Sequence, residues 1–226
     1  IEYAPVDVDA EMLTRTGHDL TGEYPSIRVS AIASDFARPS LSINALAPVS
    51  GRTVVLFLGS TIGNLDPEPA RTMLRDLRSV LREKDSLFLG ADLRKSKSIL
   101  EPAYDDALGV TAAFNKNVLQ RINHELGGTF DLSAFDHRAF YDQALGRIEM
   151  HLVSRRAQRV SIEAIATTVD FAEGETIHTE SSHKYDRATL DALAHDCGFR
   201  IEQWWTDAEE RFADLLLVAS ERVHAP

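Results

Sequence analysis

The chain has 226 residues, 44% of them hydrophobic, and a formal net charge of −11. That length supports one large core, or a core with a smaller subdomain, and the acidic balance argues against nucleic acid as a main partner, because phosphate binding needs a basic patch. No apolar run approaches the roughly 20 residues that span a bilayer, and no signal-peptide pattern opens the chain, so a cytoplasmic setting is expected.

Side-chain inventory narrows the chemistry further. The single cysteine, Cys197, excludes an intramolecular disulfide and fits a reducing compartment. It falls on the apolar stripe of a predicted helix and reads as a buried structural thiol. The 8 histidines form neither HxxxH nor HExxH, so no metal site is expected. The densest basic segment, Arg147 to Arg159, is interrupted by Glu149 and reads as the solvated face of a strand pair.

In chain order, Ile1 to Asp9 reads as a strand ending in two acids, Asp7 and Asp9. A chain that starts flush on a core strand reads as lacking an upstream part. Ala10 to His18 reads as a helix capped by Asp9, with Met12 and Leu13 toward the core. Ile27 to Ala33 alternates as a second strand, closing at Ser34-Asp35-Phe36. Val54 to Leu58 is an apolar run of the kind buried on both faces of a parallel sheet. A loop with two glycines, Gly59 to Asn64, follows it, and Asp66-Pro67 opens a helix to about Glu83. The helix places Ala70, Met73, Leu74, Leu77, Val80 and Leu81 on one stripe. Ser86 to Asp92 is a further strand, again closed by an acid.

The βα alternation predicts a doubly wound α/β sheet. In such a sheet ligands sit beyond the carboxyl ends of strands, where a carboxylate can accept both hydroxyls of a ribose and a glycine loop admits backbone to a ligand. Asp7, Asp9, Asp35 and Asp92 all close strands; one such acid means little, because Asp is common at helix N-caps, but several beside the Gly59–Asn64 loop favour a cofactor site.

The rhythm changes past Asp92. Helices are expected near Ile99 to Ala107 and over Val110 to Leu126, then short strands over Ala134 to Tyr141, Arg147 to Val153, Val160 to Ala166, Thr168 to Phe171 and Ile177 to Tyr185. This stretch reads as an inserted α+β subdomain, residues 95–185, within a main domain made of 1–94 and 186–226. A helix capped by Asp186 then resumes the pattern, with strands over Phe199 to Trp205 and Phe212 to Ala219. Thr206 to Arg211 is too short for a crossover helix, so these two strands must form an antiparallel hairpin. A mostly parallel sheet ending in such a hairpin is the pattern of class I (Rossmann-like) S-adenosylmethionine-dependent methyltransferases.

Three groups of residues carry candidate chemistry. Glu180 and Ser182, two apart on a strand, share a face and suit a ring with two nitrogens, the carboxylate accepting one N–H and the hydroxyl meeting the other nitrogen. The same strand reads equally as a solvated face carrying His178, Glu180, Ser182 and Lys184. Tyr104 offers a phenol to a carboxylate, or belongs to a helix surface; Asn64 offers an amide at a strand's carboxyl end, or braces its loop.

The runs Phe57-Leu-Gly-Ser-Thr-Ile-Gly-Asn64, Ala103-Tyr-Asp-Asp106, Gly109-Val-Thr-Ala-Ala-Phe-Asn115, Arg147-Ile-Glu-Met150 and Glu180-Ser-Ser182 occur together and in order. They closely resemble the histidine-specific Nα-methyltransferases of ergothioneine biosynthesis, the EgtD-like family, from Val6 to Val218. The resemblance implies trimethylation of the α-amine of L-histidine to hercynine, with S-adenosyl-L-methionine as cofactor, by an enzyme expected to be a monomer. It implies Asp7 at the cofactor ribose, Asp35 and Phe36 at the adenine end, and Gly59 and Ser60 beside the methionine portion. It implies Asn64 and Tyr104 at the substrate carboxylate, Glu180 and Ser182 at the imidazole, and Met150 near the ring. The family's Gly-rich loop after its first strand, and a Tyr-bearing segment before that, lie upstream of Ile1; the expectation is a crippled or inactive protein if they are truly missing, and an intact activity if they simply precede the given sequence. The competing readings are a relative acting on another amine or amino acid, and a non-catalytic binding module that keeps the sheet.

Overall fold

A computed structural model describes residues 1–35 and 51–220. The chain divides into two compact units, one drawn from Ile1–Ala91, Asp186–Asp207 and Phe212–Pro226, the other from Asp92–Tyr185 and Ala208–Arg211.

The first unit opens with a βαβ element. Short strands β1 (Glu2–Tyr3) and β2 (Val6–Asp7) run parallel to β3 (Arg28–Val29) and β4 (Ile32–Ala33). Pro5, which has no N–H to donate, separates the two ladders. Helix α1 (Ala10–Glu23) joins them, five residues longer than the Ala10 to His18 expected from sequence. Its N-cap is Asp9, whose carboxylate accepts the Met12 N–H at 2.9 Å. Leu13 is buried as expected, whereas Met12 is exposed: the helix presents a narrower apolar stripe than two adjacent residues can share.

A four-stranded sheet follows, ordered β12-β13-β6-β5. Strands β5 (Val54–Phe57) and β6 (Ser86–Asp92) are parallel and linked through α2 (Pro67–Val80). Pro67 stands at the first position of α2, and Ala70, Leu74 and Leu77 form its buried stripe. Strands β12 (Phe199–Thr206) and β13 (Phe212–Ala219) form the antiparallel hairpin that the short Thr206–Arg211 connection demanded. Helix α5 (Arg187–Asp196) leads into it through a capping box in which the Asp186 carboxylate accepts the Thr189 N–H at 2.8 Å. Cys197, at the end of α5, is buried, and burial pushes its thiol above the ordinary range, as suits a structural role. One expectation fails. Strand β5 is not covered on both faces, because among the described residues Val54, Leu56 and Leu58 stay exposed. A five-residue apolar run has no periodicity that separates one-sided from two-sided burial.

Asp85, in the turn from α2 to β6, ties this sheet together. Its buried carboxylate accepts the Thr53 N–H at 2.8 Å, the Arg82 N–H at 2.9 Å and the Arg82 guanidinium at 2.9 Å. Burial pushes its pKa up, but the Arg82 guanidinium and the two backbone N–H groups outweigh it and hold the carboxyl at about 2. With a folded pKa below the unfolded value, the stabilisation is present above about pH 4 and is lost as pH falls toward 2. Asp85→Asn should therefore cost about 2 kcal/mol at neutral pH. Urea unfolding should show the gap between parent and variant closing at about pH 2.

The second unit is built on a three-stranded antiparallel sheet, β11-β8-β7, comprising β7 (Phe135–Asp142), β8 (Arg147–Ser154) and β11 (Thr176–His183). Helices α3 (Lys97–Tyr104) and α4 (Val110–Leu126) cover one face, and the hairpin of β9 (Gln158–Ile162) and β10 (Thr167–Phe171) extends the core. Leu119, Phe130, Phe135, Leu152, Val160 and Phe171 form one cluster, with Phe135 set edge-on to Phe171. A second cluster, Leu100, Ile148 and Met150 with Tyr104 and Tyr141 against it, lies under α3. The basic segment is in part the solvated surface expected: Arg155 meets Asp136, Arg156 meets Asp131 and Arg159 meets Asp170 in the open, whereas the Arg147–Glu149 pair is largely buried.

Candidate functional site

Strand β11 determines the chemistry of the second unit through one irregularity. Its pairing with β8 shifts between His178 and Glu180, so that His178 lies opposite His151 and Glu180 lies opposite Met150. Thr179 is the extra residue of a β-bulge, and its hydroxyl donates to the Met150 carbonyl at 3.0 Å. A regular strand would put His178 and Glu180 on one face. The bulge separates them: His178 joins Glu149 and His151, while Glu180 and Ser182 turn to the face that carries Ile148 and Met150 under α3. The reading of His178, Glu180, Ser182 and Lys184 as one solvated face is thereby overturned; Ser182 and Lys184 are buried.

On that inner face Ser182 Oγ lies 2.9 Å from Tyr104 Oη, and Lys184 Nζ donates to both, at 2.8 and 2.7 Å. Lys184 is also ion-paired to Asp92 at 2.8 Å, and its side chain is 0% exposed. Lys95 makes a second ion pair to Asp92. Glu180 differs from these neighbours. It is partly buried, and its carboxylate has no hydrogen-bond partner among the described residues. Desolvation raises its pKa, with the positive charge of Lys184 opposing the shift. A desolvated acceptor without a donor is poised to receive an N–H from a ligand.

Tyr104 is held from its backbone as well. Asn115 of α4 donates its amide to His137 Nδ1 at 3.0 Å, which makes that nitrogen the acceptor and puts the ring proton on Nε2. Nε2 then donates to the Tyr104 carbonyl at 2.8 Å, at the end of α3. Asp106 starts α4 by accepting the Thr111 and Val110 N–H groups at 2.7 and 3.1 Å. Those N–H groups, with the Thr111 hydroxyl, hold its carboxyl at about 2. The Tyr104-Asp105-Asp106 stretch thus joins a helix end, a helix start and a phenol aimed at Ser182. Sequence reasoning missed His137 altogether, and it read Asp92 as an acid closing a strand at the cofactor edge, not as the ion-pair partner of Lys184. Lys184 had been noticed only as part of a solvated face, and a lysine gives no sequence signal for burial.

The outer face of the same sheet holds Glu149, His151 and His178, with donor atoms within 4.8 Å of one another. Each has at least one hydrogen bond, although His151 Nδ1 is buried with no partner among the described residues. Glu149 accepts from Arg147 and from His151 Nε2, and His178 Nε2 bonds the Glu180 carbonyl.

In the first unit the expected cofactor residues stand at carboxyl ends of parallel strands. Asp7 ends β2, and one of its carboxylate oxygens accepts the Asp9 N–H at 2.9 Å. Asp35 follows β4, while Phe36 lies outside the described residues. Gly59 and Ser60, two residues after β5, are consecutive left-handed residues with φ 69° and 58°. A non-glycine residue in that region is uncommon. Among the described residues, its own chain neighbours aside, nothing crowds Gly59; the nearest contact to an added Cβ would be Thr61 Oγ1 at 3.9 Å. This set suits the ribose and amino-acid ends of a nucleoside cofactor. Asn64 closes a 3-10 turn, Thr61–Asn64, and is exposed, which removes the reading in which it is a buried loop brace.

The chain resembles known methyltransferases in both structure and sequence. The chain aligns in structure with the CcbJ methyltransferase of Streptomyces caelestis at a TM-score of 0.54 and 14% identity, over 97% of this chain and 80% of that one, which shows a class I methyltransferase fold. It is 45% identical over 216 residues to the histidine N-alpha-methyltransferase of Mycolicibacterium smegmatis, covering 96% of this chain and 66% of that protein. It thus spans just under two thirds of that relative's length. It is 32% identical over 150 residues to ergothioneine biosynthesis protein 1 of Schizosaccharomyces pombe, covering 65% of this chain and 19% of that protein. A family model described as histidine-specific, SAM-dependent methyltransferase matches residues 1–219. The chain belongs to the family of SAM-dependent, histidine-specific methyltransferases.

Proposed function

We propose that the protein methylates the α-amine of L-histidine three times, giving hercynine, as a step of ergothioneine biosynthesis. One observation carries the substrate assignment: the partly buried Glu180 carboxylate without a hydrogen-bond partner among the described residues, next but one to the buried Ser182 hydroxyl. That pair matches the two nitrogens of an imidazole. Glu180 accepts the ring N–H, Ser182 meets the other nitrogen, and Met150 packs beside the ring. Tyr104 takes the carboxylate.

S-adenosylmethionine, when bound, supplies an electrophilic methyl group on a sulfonium. Asp7 holds its ribose, Asp35 and Phe36 its adenine end, and the Gly59–Ser60 turn its methionine portion. The remaining task of the chain is alignment, because a substitution at carbon requires nucleophile and leaving group in line. The substrate amine must be neutral to act, and a site of low polarity favours that form. The reading places the enzyme in the cytoplasm, as a monomer acting on a small molecule and not on nucleic acid or membrane. The acidic net charge supports a small-molecule over a nucleic-acid partner, and no helix among the described residues is long and apolar enough to cross a membrane.

Incubating the full-length protein with methyl-labelled S-adenosylmethionine and a panel of amino acids tests the assignment. Mass spectrometry should find label in the trimethylated betaine of histidine. Label in another amino acid, with histidine untouched, rejects it.

A further inference from the structure

We propose that Lys184 is a positioning residue that turns both Tyr104 and Ser182 into outward hydrogen-bond donors, and so selects a ligand that offers a carboxylate oxygen together with an unprotonated ring nitrogen. The inference deepens the histidine reading and rests on it.

The argument is a count of hydrogens. A lysine ammonium has three donors and no acceptor. Here they face Asp92 Oδ2 at 2.8 Å, Tyr104 Oη at 2.7 Å and Ser182 Oγ at 2.8 Å. Each hydroxyl oxygen therefore gives a lone pair to Lys184, and neither can send its own hydrogen that way. Two hydroxyl hydrogens remain. With no ligand bound, one closes the 2.9 Å contact between Tyr104 and Ser182 and the other points away from the lysine. A ligand with two acceptors opens that mutual contact. Tyr104 then donates to the carboxylate and Ser182 to the ring nitrogen, with Lys184 still bound to both oxygens.

Glu180 completes the selection. It is an acceptor two residues from Ser182, on the inner face made available by the bulge at Thr179. One acceptor and one enforced donor match a neutral imidazole, which has one N–H and one bare nitrogen. They mismatch a ring with two N–H groups or with none. Without Lys184, Ser182 is free to rotate and to accept, and the site stops distinguishing these rings. Burial enforces the arrangement: Lys184 is sealed from water, its ammonium lies 4.7 Å from the Tyr104 ring centre, and Asp92 is held from its other side by Lys95.

The test uses the full-length protein with S-adenosylhomocysteine bound, and calorimetric titration of L-histidine and of the two pyrrole isosteres of histidine. Each isostere keeps one ring N–H and has carbon in place of the other nitrogen. The parent should prefer histidine over either isostere by about 10-fold or more. Lys184→Met should weaken histidine by about 10-fold and reduce that preference severalfold, with S-adenosylhomocysteine affinity unchanged. A preference that survives Lys184→Met intact overturns the proposal, as does a parent that binds histidine and the isosteres equally. If Lys184→Met does not fold, Ser182→Ala, which leaves the Lys184–Asp92 pair in place, must abolish the preference; its survival there has the same meaning. A parent that binds no histidine refutes the functional reading itself, a result distinct from either of these.

Discussion

Glu180→Ala should weaken L-histidine binding by about 10- to 100-fold and leave S-adenosylhomocysteine binding within about 2-fold. The size follows from the charge of the lost partner: a hydrogen bond to an ionised group contributes roughly 1.5–3 kcal/mol, and here the acceptor is already stripped of part of its water. The selectivity follows from position, since Glu180 belongs to the unit formed by Asp92–Tyr185 and the proposed cofactor residues belong to the other. Stability should move the opposite way from binding. Burial raises the Glu180 pKa, so the ionised carboxylate costs folding free energy above that pKa, and removing it relieves the cost. The Ala variant should therefore melt no lower than the parent, the usual sign of a residue kept for function. Glu180→Gln keeps an acceptor oxygen without the charge and should fall between the two in affinity. Equal losses for histidine and S-adenosylhomocysteine, measured by calorimetry on the full-length protein, would remove Glu180 from the substrate site.

Much of the fold was legible because it is encoded locally. The βα alternation, the Asp66-Pro67 helix start and the Asp186 capping box are signals within a few residues of what they specify. The terminal hairpin followed from a length: six residues from Thr206 to Arg211 leave no room for a crossover. The site was only half legible, for reasons of distance and register. Period two correctly keeps Glu180 and Ser182 together, but it also adds His178, and only the inserted Thr179 removes it. No residue type announces a bulge. Lys184 turns inward against the usual preference of lysine for water. The partners that make its burial tolerable, Asp92 and Tyr104, come from 92 and 80 residues away in sequence. The same holds for the chain from Asn115 through His137 to the Tyr104 carbonyl, where each residue alone reads as an ordinary polar position on a helix or strand.

Asp7→Ala should produce the mirror image of Glu180→Ala, a loss of about 100-fold in S-adenosylhomocysteine affinity with the fold intact. Sequence offered two acids at this strand end, and the structure gives them different work. The Asp9 carboxylate is occupied at the start of α1, where it accepts the Met12 N–H. The Asp7 carboxylate accepts only the Asp9 N–H, through Oδ1, so its second oxygen has no hydrogen-bond partner among the described residues. A ribose presents two adjacent hydroxyl donors, and a carboxylate at the carboxyl end of a parallel strand is placed to accept them. Two charge-assisted hydrogen bonds lost together account for the expected size. Asp9→Ala is the informative partner variant. It removes a helix cap and should lower stability by about 1 kcal/mol, while cofactor affinity stays close to that of the parent. Thermal unfolding and S-adenosylhomocysteine calorimetry on the two variants separate the roles. If Asp9→Ala abolishes cofactor binding and Asp7→Ala does not, the ribose contact belongs to the other acid and the Asp7 assignment is wrong.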